Sequence, residues 1–142
     1  MHRGLAILLA LALSVTALAT AVYLPGTSGT VMLCLMERYA PPQASQLPAA
    51  EYPAMAGMIT AYLRGERESF QHVYTVDGAE YVAFHDYEQQ HMADCRMLFR
   101  LCRTVMFGGL AISAALLAFL TALGEGRSFR WLRLGLLVCW RR

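Results

Sequence analysis

Residues 4–24 read GLAILLALALSVTALATAVYL, 21 residues without a charge. A second run, TVMFGGLAISAALLAFLTAL at 104–123, is 20 residues long and equally uncharged. At ~1.5 Å of rise per residue, either run as a helix covers about 30 Å, the thickness of a bilayer's hydrocarbon core. A soluble protein would have to bury both runs, and 142 residues leave too little chain to wrap them. The chain is 57% hydrophobic and 15% charged, against roughly 45–50% and ~25% in soluble domains. Met1-His2-Arg3, with Ala17-Leu18-Ala19 or Ala19-Thr20-Ala21 downstream, also suits a signal peptide. The apolar run exceeds the roughly 7–15 residues of a signal h-region, so an uncleaved anchor is expected.

A third run, Trp131 to Trp140, has only 10 residues and contains Arg133. That is half of the ~20 residues a span needs. The expected fold is therefore a mainly α integral membrane protein, at the cell membrane and multi-pass. It has two full transmembrane helices, a short third apolar helix, and a small extracytoplasmic α+β cap between the first two. Residues 1–24 form the first span, 25–98 the cap, 99–123 the second span, 124–130 a cytoplasmic loop and 131–142 an incomplete third helix.

Charge separates these parts. Residues 25–98 carry nine carboxylates and four arginines, a net of −5, while residues 99–142 carry seven arginines and one glutamate, a net of +6. The basic end is no nucleic-acid patch, because its arginines flank apolar helices. Arg127, Arg130 and Arg133, with Arg3, mark the hairpin's ends as cytoplasmic; Arg96, Arg100 and Arg103 at the other end oppose that bias.

Within the cap, residues 25–29 (Pro-Gly-Thr-Ser-Gly) break the first helix. Pro41-Pro42 and Pro48 bracket an extended stretch. Met55, Met58, Ile59 and Tyr62 fall at i, i+3, i+4, i+7, which predicts a helix over 55–63 that stops at Gly65. Asp77-Gly78, between Phe70 and Phe84, predicts a hairpin of two short strands. Tyr87 to Arg103 reads as a helix that continues into the second span. The cap's many tyrosines and phenylalanines suit a small core with an interfacial belt, or a ligand cage. Cys34 and Cys95 are either a disulfide or two buried free thiols; Cys102 and Cys139 read as apolar filler. There is no Gly-rich phosphate loop, no Cys-x-x-Cys pair and no internal repeat, so no cofactor is expected.

The chemistry concentrates in Glu88-Gln89-Gln90-His91-Met92-Ala93-Asp94-Cys95, just ahead of the second run. On a helix Glu88, His91 and Asp94 line one side, turning by about 60° per three residues. An imidazole flanked by carboxylates at a bilayer's edge suits proton transfer, although a wet helix end also collects such residues. Arg96 either meets a lipid carbonyl or headgroup or is simply solvated. A metal site from Glu88, His91 and Asp94 or Cys95 needs a further segment, such as one bearing His72 or His85, to close it. No metal is expected.

In order, Tyr62-Leu63-x-Gly65, Phe70-Gln71, Gly78, Phe84 and Glu88-x-x-His91-Met92-x-Asp94-x-x-x-Leu98-Phe99 resemble the lipoprotein intramolecular transacylase (Lit) family of bacterial membrane proteins. The resemblance implies four membrane helices, an extracellular cap and a site at the seam between cap and membrane. It implies transfer of an acyl chain from the sn-2 position of a diacylglyceryl-modified lipoprotein to the amino group of the same N-terminal cysteine. The product is a lyso-form lipoprotein. The partners it implies are membrane lipid and the lipoprotein substrate; it says nothing of oligomeric state. The family's reaction uses two histidines, and His91 matches the first. Glu88, Asp94 and Arg96 are the expected supporting residues. The second family histidine lies in a Phe-His segment nearer the fourth helix and has no counterpart up to Arg142. The expectation is thus a truncated relative, inactive by itself. A non-enzymatic membrane protein whose cap binds a lipid or protein partner is the competing reading.

The orientation is testable by cysteine labelling from outside intact cells. Glu66→Cys should be modified and Arg127→Cys should not; the reverse pattern would invert the topology.

Overall fold

A computed structural model describes residues 2–40 and 47–122. The extended stretch expected between Pro42 and Pro48 falls largely outside the described residues. So do the expected cytoplasmic loop at 124–130, the third apolar helix at 131–142 and Cys139. The described elements are α1 (His2–Gly26), α2 (Gly29–Tyr39), a 3-10 turn (Ala49–Glu51), α3 (Tyr52–Arg64), β1 (Val73–Val76), β2 (Ala79–Val82) and α4 (Asp86–Ala122). The chain is mainly helical, with two helices long and apolar enough to cross a membrane, Gly4–Gly26 and Asp86–Ala122. Only 17% of each apolar window is buried inside the protein, which separates both helices from the core helix of a soluble fold. Leu18 and Phe107, 69% and 61% exposed, present large apolar surface of the kind a lipid environment accepts.

The described chain divides into two compact units, residues 1–20 with 103–142 and residues 21–102. In the first, the buried positions of α4 are Met106, Ser113 and Leu120, seven residues apart. Leu9 and Thr16 of α1 share that spacing, the repeat of a left-handed helix seam. The two helices approach closely at Gly109, where a Cβ would collide with the Thr16 hydroxyl. A small residue is what lets helix backbones meet in lipid, where apolar burial gives no net drive. The Thr16 hydroxyl donates to Ala12 O at 2.7 Å and that of Thr20 to Thr16 O at 2.7 Å, so each is satisfied within its own helix.

In the second unit, Thr27 and Ser28 separate α1 from α2. The Thr27 N–H and hydroxyl both donate to Tyr23 O, at 3.1 and 2.7 Å, and Ser28 is the N-cap of α2. Helix α2 lies in a stretch where the sequence raised no expectation of regular structure. It is held by tertiary packing: Leu33 and Met36 rest on the buried cluster of Leu47, Tyr52 and Met55. The Tyr52 hydroxyl donates to Ala40 O, tying α3 back to the end of α2.

Helix α3 begins with Pro53 in its first turn and ends at Gly65, whose φ of 81° is left-handed. The Glu66 N–H reaches back to Ala61 O at 2.9 Å and closes the helix end. The expected apolar face is observed: Met55, Met58 and Tyr62 are buried and Ile59 is half-buried. The hairpin is antiparallel, pairing Val73 with Val82 and Val76 with Ala79 across Asp77 and Gly78. Both turn residues have positive φ, 53° and 81°, the geometry of a two-residue hairpin loop. Tyr74 and Tyr81 stack across the strands, with ring centroids 5.7 Å apart.

The seam contact predicts a coupled pair of effects. Gly109→Ala should lower stability by about 1–3 kcal/mol, because Thr16 must move and surrender its bond to Ala12. Adding Thr16→Ala should restore most of that loss in thermal unfolding in detergent. Additive losses would show that the helices do not touch there.

Candidate active site

Helix α4 begins inside the cap, and its first turn is capped by its own side chain. The His85 N–H donates to Glu88 Oε2 at 2.7 Å, while the Glu88 N–H donates to His85 O at 3.0 Å. This is the return half of a capping box, and Asp86 and Glu88 complement the positive end of the helix. The Glu88 carboxylate is therefore engaged at the helix start and not with His91.

His91 is exposed one turn further on. Its Nε2 lies 3.7 Å from Cys95 Sγ, so its neighbour is a thiol, not a carboxylate. Asp94 is exposed on the open side of the helix. Arg96 faces elsewhere, about 140° around the helix from His91 at ~3.6 residues per turn. Its guanidinium carbon stands 4.8 Å from the centre of the Tyr62 ring. Of the four expected site residues, the structure thus places Glu88 in the cap of the helix, His91 and Asp94 towards the open side, and Arg96 against α3.

What holds His91 in place is the residue beside it. Met92 packs on the buried cluster of Met58, Tyr62 and Phe70. Phe70 lies between Tyr62 and Phe84, with centroids 5.1 and 4.5 Å away. Gln71 clamps the open end of the hairpin: its Oε1 accepts from the His72 N–H at 3.0 Å and the Phe84 N–H at 3.3 Å, and its Nε2 donates to Phe84 O at 3.0 Å. The ring of Phe99 sits 6.4 Å from that of Tyr23 and against Gly26. Tyr62, Phe70 and Phe84, scattered through the motif, therefore converge beneath Met92 of the helix.

Several interactions carry no signal at the level of sequence. His72 Nε2 lies 2.9 Å from Glu51 Oε2, half-buried between the hairpin and the start of α3. Arg64 donates to both Glu66 oxygens at 2.8 Å and to Thr27 O at 2.9 Å, joining the end of α3 to the turn after α1. The Arg64 hydrogen bond holds the Glu66 carboxyl below its usual range, and Glu66 in turn raises Arg64. The sign follows: this pair stabilises the fold above the unfolded carboxyl pKa of about 4.3 and stops doing so as pH falls through the lower folded value. Glu66 is fully exposed, so solvent screens the effect.

Cys34 and Cys95 are free thiols, so the disulfide alternative is not realised. Among the described residues, no three His, Cys, Asp or Glu side chains cluster as a metal site would require.

The model of one protein family, described as lipoprotein intramolecular transacylase Lit, matches residues 6–138. No curated protein and no solved structure matches the chain.

The capping role of Glu88 separates two substitutions. Glu88→Ala should cost about 0.5–2 kcal/mol of stability, the usual worth of a helix cap. Glu88→Gln should be nearly neutral, because an amide oxygen serves the same N–H. A large loss of stability from the amide, read by thermal unfolding, would mean that the negative charge has another task.

Proposed function

Because the chain belongs to the lipoprotein intramolecular transacylase family, we propose that it supplies His91, one of the two histidines the resemblance implies, to a reaction that moves an acyl chain within one lipid-modified lipoprotein. The chain leaves the sn-2 ester oxygen of the diacylglyceryl group and arrives on the amino nitrogen of the same N-terminal cysteine. A C–O bond breaks, a C–N bond forms, and one proton passes from nitrogen to oxygen. The tetrahedral intermediate needs its oxyanion stabilised, and the leaving alkoxide needs that proton. No enzyme nucleophile is required, since the attacking amine belongs to the substrate.

The observation that carries this reading is the exposed imidazole of His91, held by Met92 within the motif that the family shares. An imidazole can accept the amine's proton and return it to the alkoxide. The other cap imidazoles are engaged elsewhere: His72 lies beside Glu51, and His85 stacks on Tyr87. Asp94, three residues along and exposed, is the carboxylate left to favour the imidazolium that forms in transit. The active face then lies outside the cytoplasm, where lipid-modified lipoproteins and the cap would meet.

The test is mass spectrometry of lipoprotein N-termini from the native host, with variants placed at the chromosomal locus. His91→Ala should lower lyso-form product by roughly 10²–10⁴-fold, the usual effect of losing a general base. Membrane-inserted protein should stay close to wild-type amount. Undiminished product from His91→Ala would end the assignment. A parallel loss of inserted protein would instead mark His91 as structural.

A further inference from the structure

Helix α2 is apolar on two opposite faces, and only one of them is covered. Leu33 and Met36 rest on the cluster of Leu47, Tyr52 and Met55. At ~3.6 residues per turn, Val31, Cys34, Leu35 and Arg38 fall within a sector of about 100° on the other side of the helix. Val31 and Leu35 are 38% and 45% exposed, and Cys34 is exposed as well. A helix that lies between a protein core and water carries polar residues on the side away from its packing. Here that side is apolar up to Arg38 in the last turn.

The chain before α2 points to what meets this face. The charge-free run of α1 extends from Gly4 to Gly26, and α2 starts at Gly29, with only Thr27 and Ser28 between the helices. Three backbone steps reach at most about 11 Å. Helix α2 therefore begins close to the level at which the span leaves the hydrocarbon, where headgroups occupy roughly 5–7 Å of depth. Ser28 is extended, with φ −88° and ψ 117°, so α2 does not continue the axis of α1. The residues also suit that depth chemically. Val31 and Leu35 form an apolar patch, and the Arg38 guanidinium carbon stands 5.7 Å from the centre of the Tyr39 ring. An apolar strip ending in an arginine and an aromatic ring is the make-up of a helix that lies on a bilayer. Glu37, the acidic residue of α2, sits about 160° around the helix from Leu35 and off this face.

We propose that the uncovered face of α2 is a membrane-docking surface, and that its occupant is the phospholipid surface of the leaflet at which α1 ends. Val31 and Leu35 enter the boundary between headgroups and acyl chains, and Arg38 reaches the phosphates. Helix α2 is then held between the bilayer on one side and α3 on the other. This surface is independent of the acyl-transfer reading of His91 and stands without it.

The experiment is tryptophan fluorescence of the full chain in phosphatidylcholine–phosphatidylglycerol vesicles, with Trp131→Phe and Trp140→Phe as the background. Leu35→Trp and Val31→Trp report the uncovered face, and Glu37→Trp reports the same helix off that face. The quencher is lipid brominated either near the headgroup or near the end of the acyl chain. Leu35→Trp and Val31→Trp should each be quenched roughly twofold more than Glu37→Trp, and more by the shallow bromine than by the deep one. Each variant of the pair carries these readings by itself, so failure of one to insert leaves the other decisive. Equal quenching on and off the face would overturn the docking surface. Stronger quenching by the deep bromine would overturn it too, because α2 would then be immersed in the core. A tryptophan on the face that neither brominated lipid nor aqueous iodide quenches would show protein there, and would overturn the lipid occupant.

Discussion

The continuity of α4 is the constraint on which everything else rests. Its 37 residues run from Asp86 to Ala122 without a break, about 55 Å at ~1.5 Å per residue. That exceeds the ~30 Å core of a bilayer by several turns. In lipid every backbone N–H and C=O must find its partner within the helix, so the span cannot be interrupted without loss. The excess length therefore forms an N-terminal extension of the apolar run, and within residues 21–102 the neighbouring segments pack on it. Met92 gives that extension an apolar foot on α3, and the Glu88 cap fixes where it starts. His91 is carried by a helix instead of a loop, so the packing of Met92 beside it also fixes the direction in which it leaves the helix.

The cap is too small to hold a core of the usual kind, and it compensates with specific polar closures. Gln71 uses both ends of its amide to shut the hairpin, Tyr52 reaches Ala40 O, and Arg64 reaches Thr27 O. Each joins segments distant in sequence, and each satisfies backbone that an isolated two-stranded sheet or a short helix would leave open. The aromatic row Tyr62–Phe70–Phe84 lies between them and fills the space under Met92. Aromatic residues that composition alone leaves divided between a belt and a cage thus include three that form a bed for the helix.

Much of this was legible in the sequence, for identifiable reasons. The two spans declare themselves by length and absence of charge, α3 by the spacing of Met55, Met58, Ile59 and Tyr62, and the hairpin by Asp77-Gly78. These signals are local, and local signals survive without knowledge of the fold. Helix α2 was not legible. Its sequence between Gly29 and Tyr39 lacks a strong cap, the Ser28 bond to the Val31 N–H being 3.5 Å long. What makes it a helix is the seat that Leu33 and Met36 find on residues far along the chain. At the site, the spacing of Glu88, His91 and Asp94 was readable, but spacing fixes only the side of a helix. Which donor a carboxylate takes depends on where the helix begins, and α4 begins one residue after His85.

The motif residues therefore divide by what they leave open. Tyr62, Gly65, Phe70, Gln71, Gly78 and Phe84 are consumed in packing, in turns or in backbone hydrogen bonds, so each serves by positioning another group. Two polar side chains of the helix they support are not consumed in this way. His91 shares only a long contact with a thiol, and Arg96 has only an aromatic face. Spacing along a helix decides only direction. What a side chain has left to offer is decided by which neighbours reach it. His91 and Arg96, five residues apart on α4, are reached by different ones, a thiol in one case and a tyrosine ring in the other.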